Sequence, residues 1–306
     1  MRARVPADLD GERADLIVAR MAGVSRTVAK QMLAGGDALV DGERAAPRQR
    51  LAAGAGLELE APGPEAPLEA EEVGFAVRYE DAHLAVIDKP AGLVVHPGAG
   101  RRTGTLAAGL LHRWPRVEGV GDPGRWGIVH RLDRGTSGLL VVALDAGAYT
   151  GLRAAMGRRE VTRTYLALVH GSSAAPTGTI DAPLGRDPRH PTRFRVDRSG
   201  RPARTHYRRL ATWEGAGLAL LEVRLETGRT HQIRVHTASI GHPVAGDPAY
   251  GRGGDGIPRL CLHAAGLRFT HPVTGGEVAV ASPLPTDMAD IVRGLGSPTT
   301  GEVPYR

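Results

Sequence analysis

Cysteine occurs once in the 306 residues, at Cys261. A single thiol closes no internal disulfide and builds no cysteine metal cluster, which suits a reducing compartment, so a cytoplasmic protein is expected. Long hydrophobic runs are missing too: the longest, such as Leu139 to Leu144, are strand-sized, far short of the roughly 20 apolar residues a membrane helix needs. No membrane association is expected. Near the start, Asp8, Asp10 and Glu12 arrive before any apolar stretch, so there is no signal for export. Internal repeats, coiled-coil heptads and long polar low-complexity tracts are absent as well, and a hydrophobic content of 42% then argues for a folded chain. The 42 glycines and 22 prolines imply many turns.

The net charge of +6 is unevenly spread. Between Arg186 and Arg209 nine arginines face only Asp187 and Asp197. Such a cluster is either a solvated face or a site for a polyanion, whose phosphates it would neutralise with release of counterions. The length suits two domains, at roughly 100 to 200 residues each. A break falls at Ala61-Pro62-Gly63-Pro64-Glu65-Ala66-Pro67, where three prolines exclude a helix and leave an extended, acidic connector running to Glu72. The expected division is a first domain over 1–60, a linker over 61–72 and a second domain over 73–306.

In the first domain Arg13 to Met21 has helical spacing, and Ser25 is placed to cap a second helix to Ala34, with Val28, Met32 and Leu33 on its apolar side and Gly35-Gly36 as its stop. Ala38-Leu39-Val40 followed by Asp41-Gly42 signals a hairpin, and Leu57-Glu58-Leu59-Glu60 alternates like a closing strand. In the second domain, strands are expected at 84–88, 138–144, 163–170, 205–212 and 218–225, with helices at 106–112 and 145–156. Strands predominate and turns join them as often as helices do, so the expected class is α+β: a mixed, largely antiparallel central sheet flanked by helices and loops, preceded by a small helix-hairpin domain.

Asp133 stands between Arg131 and Arg134, just before an apolar strand and followed by Thr136-Ser137-Gly138, whose small polar groups suit nearby backbone. Alone, this string reads either as a surface salt-bridge cluster or as a site that keeps a carboxylate ionised. Rival chemistries have weaker support. His231 and His236 are five apart, unlike the ligand pair of His-Glu-x-x-His, and no metal is expected. Gly98 to Gly104 has one residue too many for a nucleotide loop. Ser137 lacks the Gly-x-Ser-x-Gly elbow. A glycosidase would need a second inward carboxylate, for which Asp247 is the candidate.

The segment His130-Arg131-Leu132-Asp133, continued by Thr136-Ser137-Gly138-Leu139-Leu140, resembles the signature of the RluA family of pseudouridine synthases. Further strings match in order: Asp88-Lys89-Pro90-Ala91-Gly92-Leu93, Tyr165-Leu166-Ala167-Leu168-Val169, Thr227 through His236, Gly246-Asp247 with Tyr250-Gly251, and Leu262-His263-Ala264. Together they span roughly residues 73 to 285. The first domain is similar to the alpha-L RNA-binding module of a small-subunit ribosomal protein, with Ala14-Asp15 and Asp41-Gly42 as departures.

The resemblance implies a pseudouridine synthase fold and isomerisation of uridine, without cofactor or metal, in RNA. Large-subunit ribosomal RNA is the favoured substrate, with transfer RNA, or RNA binding without catalysis, as alternatives; a monomer is expected. It assigns catalysis to Asp133, Tyr165 and Arg234, the last reaching Asp133 from a helix with Ile233, Thr237 and Ile240 on its buried side and Gly241 at its end. The guanidinium would favour the charged carboxylate. Tyr165 would lie against the base, and Arg131 would flip the nucleotide and fill its gap. Arg229, the competing arginine in the motif of Arg234, and His130, with Arg26 and Lys30 in the first domain, would contribute RNA contacts. Asp145 and Phe194-Arg195-Val196 depart from the family pattern, leaving the recognised RNA open.

Overall fold

A computed structural model describes all residues except 25, 61–67, 99–102, 123, 172–174, 252, 254–255 and 304–306. The cap at Ser25, the proline-rich segment 61–67 and the middle of the 98–104 loop therefore lie outside the described residues. The chain divides into two compact units, Met1–Leu68 and Glu69–Arg306.

In the first unit, strands β1 (Arg2–Arg4), β2 (Ala38–Val40), β3 (Glu43–Arg44) and β4 (Gly56–Leu59) form an antiparallel sheet in the order β1-β4-β2-β3, with helices α1 (Ala14–Ala22) and α2 (Arg26–Gly35). The alternation in β4 buries Leu57 and Leu59 with Ile17 of α1 and Leu33 of α2. Asp41 and Gly42 both have positive φ, 50° and 82°, as a two-residue hairpin turn demands. One charged group lies inside: the Asp15 carboxylate, fully buried, accepts from Arg13 Nε and Nη2 (3.0 and 2.8 Å) and from Arg26 Nη2 (3.0 Å), with Lys30 Nζ at 3.8 Å. Burial alone would raise its pKa, but hydrogen bonds from Arg13 and Arg26 outweigh that and hold it below the ordinary carboxylate range.

The second unit is built on a ten-stranded sheet. In chain order come β5 (Ala76–Glu80), β6 (Leu84–Lys89), α3 (Leu106–Arg113), β7 (Ser137–Ala143), α4 (Ala146–Arg158), β8 (Thr162–His170), β9 (Thr177–Asp181), β10 (Leu184–Arg186), β11 (Phe194–Val196), β12 (Arg204–Trp213), β13 (Leu218–Leu225), α5 (Gln232–Ser239), β14 (Leu262–Thr270), β15 (Glu277–Ala281), α6 (Thr286–Gly294) and β16 (Thr300–Gly301). The main path is β16-β12-β13-β8-β14-β7-β6-β5, with β9 on β12 and β15 on β14; β10 and β11 form a separate hairpin. All pairs are antiparallel except β7 with β14. The fold is thus α+β with a mixed, largely antiparallel sheet, as the strand-rich pattern suggested.

Every residue of β7 is buried, which explains its unbroken apolar sequence. Leu139, Val141 and Ala143 pack with Leu152 of α4 and Phe269 of β14. Gly138 sits at φ 109°, where an added Cβ would stand 2.3 Å from Ala264 O, so the crossing of β7 and β14 requires glycine. One expectation fails: Ile240 is not on the buried side of α5 but 39% exposed, because the helix ends at Ser239 and Ile240 is already its cap. Val235 and His236 are buried instead. Among the described residues no helix is long and apolar enough to cross a membrane.

The carboxyl of Asp15 has a depressed pKa in the folded state, so its contribution is complete above the ordinary aspartate range and fades as pH falls through the folded value. Asp15→Asn is expected to lower stability by about 1–3 kcal/mol at neutral pH. Urea unfolding of both proteins should show that deficit shrinking in acid; an equal deficit at both pH values would assign the effect to packing and not to charge.

Candidate active site

The segment carrying Asp133 is held by backbone groups on both sides. His130 Nε2 accepts the Val141 amide of β7 at 3.1 Å, and the Asp133 carbonyl accepts the Thr136 amide at 3.1 Å. Burial, and secondarily the charge of Arg163, pushes the His130 pKa down to about 3, so the ring is a neutral acceptor. From the other side Lys89, fully buried at the end of β6, donates from Nζ to Pro90 O (2.8 Å), Leu93 O (3.0 Å) and Arg134 O (3.3 Å). Gly92 N donates to the same Arg134 carbonyl at 2.7 Å. Burial pushes the Lys89 pKa down to about 8, against the pull of Asp133 and with help from Arg259. The sequence reading quoted Lys89 in a motif but gave it no task; its one signal was a lysine ending an apolar strand.

Arg234 projects from α5 to both carboxylates. Its Nε and Nη2 donate to Asp247 Oδ2 and Oδ1 at 2.7 and 2.8 Å, and its Nη1 donates to Asp133 Oδ2 at 3.1 Å. The Arg234 side chain is 8% exposed, Asp133 18% and Asp247 not at all. Burial works against the guanidinium charge, but the hydrogen bonds and charge of Asp247, and then Asp133, raise its pKa further. Asp247 Oδ1 also accepts the amides of Ala249 (2.8 Å) and Tyr250 (3.1 Å). With both oxygens engaged and none of it exposed, Asp247 is not the second inward acid that a glycosidase would require.

His231 begins α5 in the left-handed region, at φ 58°. Its ring meets Phe194 and Tyr250 edge-on, its Nδ1 lies 2.9 Å from the Tyr250 hydroxyl, and its Nε2 lies 3.9 Å from Asp133 Oδ1. The Tyr250 oxygen accepts the Phe194 amide at 2.8 Å. Burial lowers the His231 pKa against the attraction of Asp133. A neutral imidazole accepting the Tyr250 proton at Nδ1 leaves Nε2–H facing Asp133. The sequence raises His231 only as a discounted metal ligand and gives Tyr250 no role of its own; their contacts come from separate elements.

Tyr165, on β8, is 6% exposed and lines the same cavity of about 560 Å³ as Asp133. Burial pushes its phenol pKa up, Arg163 acts against this and Asp133 adds to it. Arg131, Arg229, His130 and Arg234 line the cavity too; Arg131 is exposed, and Arg229 Nε donates to Pro202 O at 3.1 Å. Arg26 and Lys30 belong to the first unit and pair with Asp15. Phe194, a departure from the family pattern, carries the Arg186 guanidinium 5.2 Å from its ring centroid. Among the described residues no three His, Cys, Asp or Glu side chains are placed to share a metal ion.

Residues 83–239 match the family model described as RNA pseudouridylate synthase. The chain is 49% identical to ribosomal large subunit pseudouridine synthase D of Nitrosomonas europaea, over 74% of this chain and 67% of that protein. It is 42% identical to the protein of the same name from Xanthomonas campestris, over 96% and 92%. An uncharacterized RNA pseudouridine synthase of Chloroflexus aurantiacus is 46% identical over 95% and 92%. Among solved structures, human RNA pseudouridylate synthase domain containing 1 superposes with a TM-score of 0.57 at 27% identity, covering 75% of this chain and 97% of that one. The chain belongs to the RNA pseudouridylate synthase family and is an RNA pseudouridine synthase.

Proposed function

We propose that this enzyme isomerises specific uridines of large-subunit ribosomal RNA, in the cytoplasm, with Asp133 as the catalytic carboxylate. The observation that carries the reading is the Arg234 Nη1 to Asp133 Oδ2 contact of 3.1 Å beside a cavity that Tyr165 also lines. The relatives from Nitrosomonas and Xanthomonas, whose names specify the large ribosomal subunit, support the choice of RNA.

In the reaction the bond from N1 of uracil to C1′ of ribose breaks, the base turns, and C5 bonds to C1′; the C5 proton leaves and N1 ends protonated, so no atoms are gained or lost. Asp133 attacks ribose or base, or assists loss of a ribose proton, and Arg234 stabilises its charged form. Burial keeps the Tyr165 phenol protonated. It therefore serves at C5 by passing one proton on as it receives another, while its ring stacks on uracil. Arg131 fills the space left by the flipped nucleotide. Arg229 and His130 line the pocket as RNA contacts. Residues 1–60 act as an RNA-binding module through Arg26 and Lys30, each about half exposed while paired with Asp15, and 61–72 link it to the catalytic domain of 73–306.

Pseudouridine mapping by carbodiimide-dependent reverse-transcription stops, on total RNA from cells lacking the protein, should lose one or more positions that wild type restores and Asp133→Asn does not. Three identical maps would refute the proposal, and a lost position in transfer RNA would move the substrate. Tyr165→Phe keeps the ring and loses the proton route, so single-turnover rates should fall by about 10²–10⁴-fold at unchanged RNA affinity; a matching loss of affinity would make the hydroxyl structural. Removing residues 1–60 should weaken RNA binding and lessen its salt dependence, with the rate at saturating enzyme retained. An equal loss of chemistry would contradict the modular reading.

A further inference from the structure

Two buried side-chain polar atoms have no hydrogen-bond partner among the described residues: Thr136 Oγ1 and Arg163 Nε. Both residues line the catalytic cavity. Arg163 lies on β8 two positions before Tyr165, so both side chains leave the same face of the strand. Gly228 runs close over its guanidinium: a Cβ built there would stand 2.7 Å from Nη1.

Its electrostatic position differs from that of Arg234 and Arg159. Arg234 is neutralised by Asp133 and Asp247, and Arg159 pairs with Glu226 at 3.4 Å. Arg163 has no carboxylate within ion-pair distance among the described residues. Arg163 is half-buried, with its Nε enclosed and unsatisfied; an enclosed donor without a partner costs free energy, which an anion reaching it would offset. Within a nucleotide the base and ribose are neutral and the phosphodiester is the anion. The adjoining Nε and Nη of arginine form a fork that matches two phosphate oxygens.

We propose that Arg163 binds the phosphodiester on the 5′ or 3′ side of the target uridine, holding the flipped nucleotide by its backbone while Tyr165 and Asp133 face its base and sugar. The inference rests on the reading of the substrate as a uridine within RNA. The hydroxyl of Thr136, orphaned in the same cavity, is satisfied by the same nucleotide.

The test uses the full-length enzyme and a synthetic RNA stem-loop containing a uridine mapped as above. Arg163→Met keeps the apolar stem and removes the charge: binding should weaken on the order of tenfold or more, and the slope of log affinity against log salt should become shallower by about 0.7–0.9. Arg163→Lys should restore the slope but only part of the affinity, because one ammonium replaces a fork. Should Arg163→Met fail to fold, the wild-type protein answers the question with RNA bearing one methylphosphonate on either side of the target. Each such linkage is carried on a 2′-deoxy nucleotide and compared with its 2′-deoxy phosphodiester control. One neutral linkage should weaken binding as far as Arg163→Met does, and where that variant folds the two changes together should cost no more than either alone. Lost affinity with an unchanged salt slope would assign Arg163 to a base carbonyl and overturn the proposal, as would two neutral linkages bound as tightly as their controls. Conversion of the unmodified stem-loop by wild type is followed alongside. Its failure would unseat the uridine reading itself, whereas conversion without a change of slope would unseat only the part given to Arg163.

Discussion

One guanidinium divided between two carboxylates organises the site. Asp247 takes Nε and Nη2 of Arg234 in a bidentate pair and leaves Nη1 for Asp133. The division fixes direction as well as charge: with two nitrogens clamped, the third points along one line, and Asp133 is met there. Burying such groups costs several kcal/mol per ion and is repaid only when the remaining hydrogen bonds are also made. Asp247 makes them with the amides of Ala249 and Tyr250, and the Arg234 guanidinium lies 5.0 Å from the Tyr250 ring centroid. Two carboxylates against one guanidinium would leave a net negative charge. Lys89, buried near Asp133, balances it, since a pKa near 8 leaves most of it protonated at neutral pH.

Lys89 also couples charge to backbone. By binding the carbonyls of Pro90, Leu93 and Arg134, it ties the turn after β6 to the turn that carries Asp133. The opposite end of that turn is anchored at β7 by His130, and beyond it Ser137 and Gly138 run parallel to His263 and Ala264. Arg259 Nη2 and His263 Nδ1 both reach the Ser137 hydroxyl, at 2.8 and 3.0 Å. A flexible loop would hold a carboxylate loosely. Here it is pinned on both sides by the sheet, which is the support a reacting group needs to keep its geometry.

Asp133, Tyr165 and Arg234 stand out in the sequence because each lies in a long string of specific residues, and β7 and β8 were legible as unbroken apolar runs, α4 by its helical spacing. Local periodicity also sets the limit. Ile240 continues the helical count from Ile233 and Thr237, yet the helix stops before it and the side chain turns outward. The pairing of β14 with β8 shifts register between Ala264 and Gly266, which breaks the alternation that would have marked that strand. The contacts of Lys89, His231 and Tyr250 were not legible for a different reason. Their partners lie on other elements, as Arg234 lies 101 residues from Asp133, and no short-range pattern encodes such pairings. In the same way the sequence offers Arg26 and Lys30 as RNA contacts without showing that both are also drawn to Asp15, a carboxylate buried within their own unit.

A carboxylate at the reacting centre and a polyanionic substrate repel one another, so the cavity must hold more positive charge than its acids consume. The arginines divide accordingly. Arg234 is spent on Asp133 and Asp247, and Arg159 on Glu226. Arg131, Arg153, Arg163 and Arg229 line the same cavity with no carboxylate partner among the described residues. The unpaired set attracts phosphates, while the paired set keeps Asp133 charged against their approach. A single pool of arginines could not do both, because the groups that neutralise phosphates would also be free to collapse onto Asp133. The buried clamp by Asp247 prevents this by holding one guanidinium to Asp133 in a fixed geometry, and it leaves the others to the RNA.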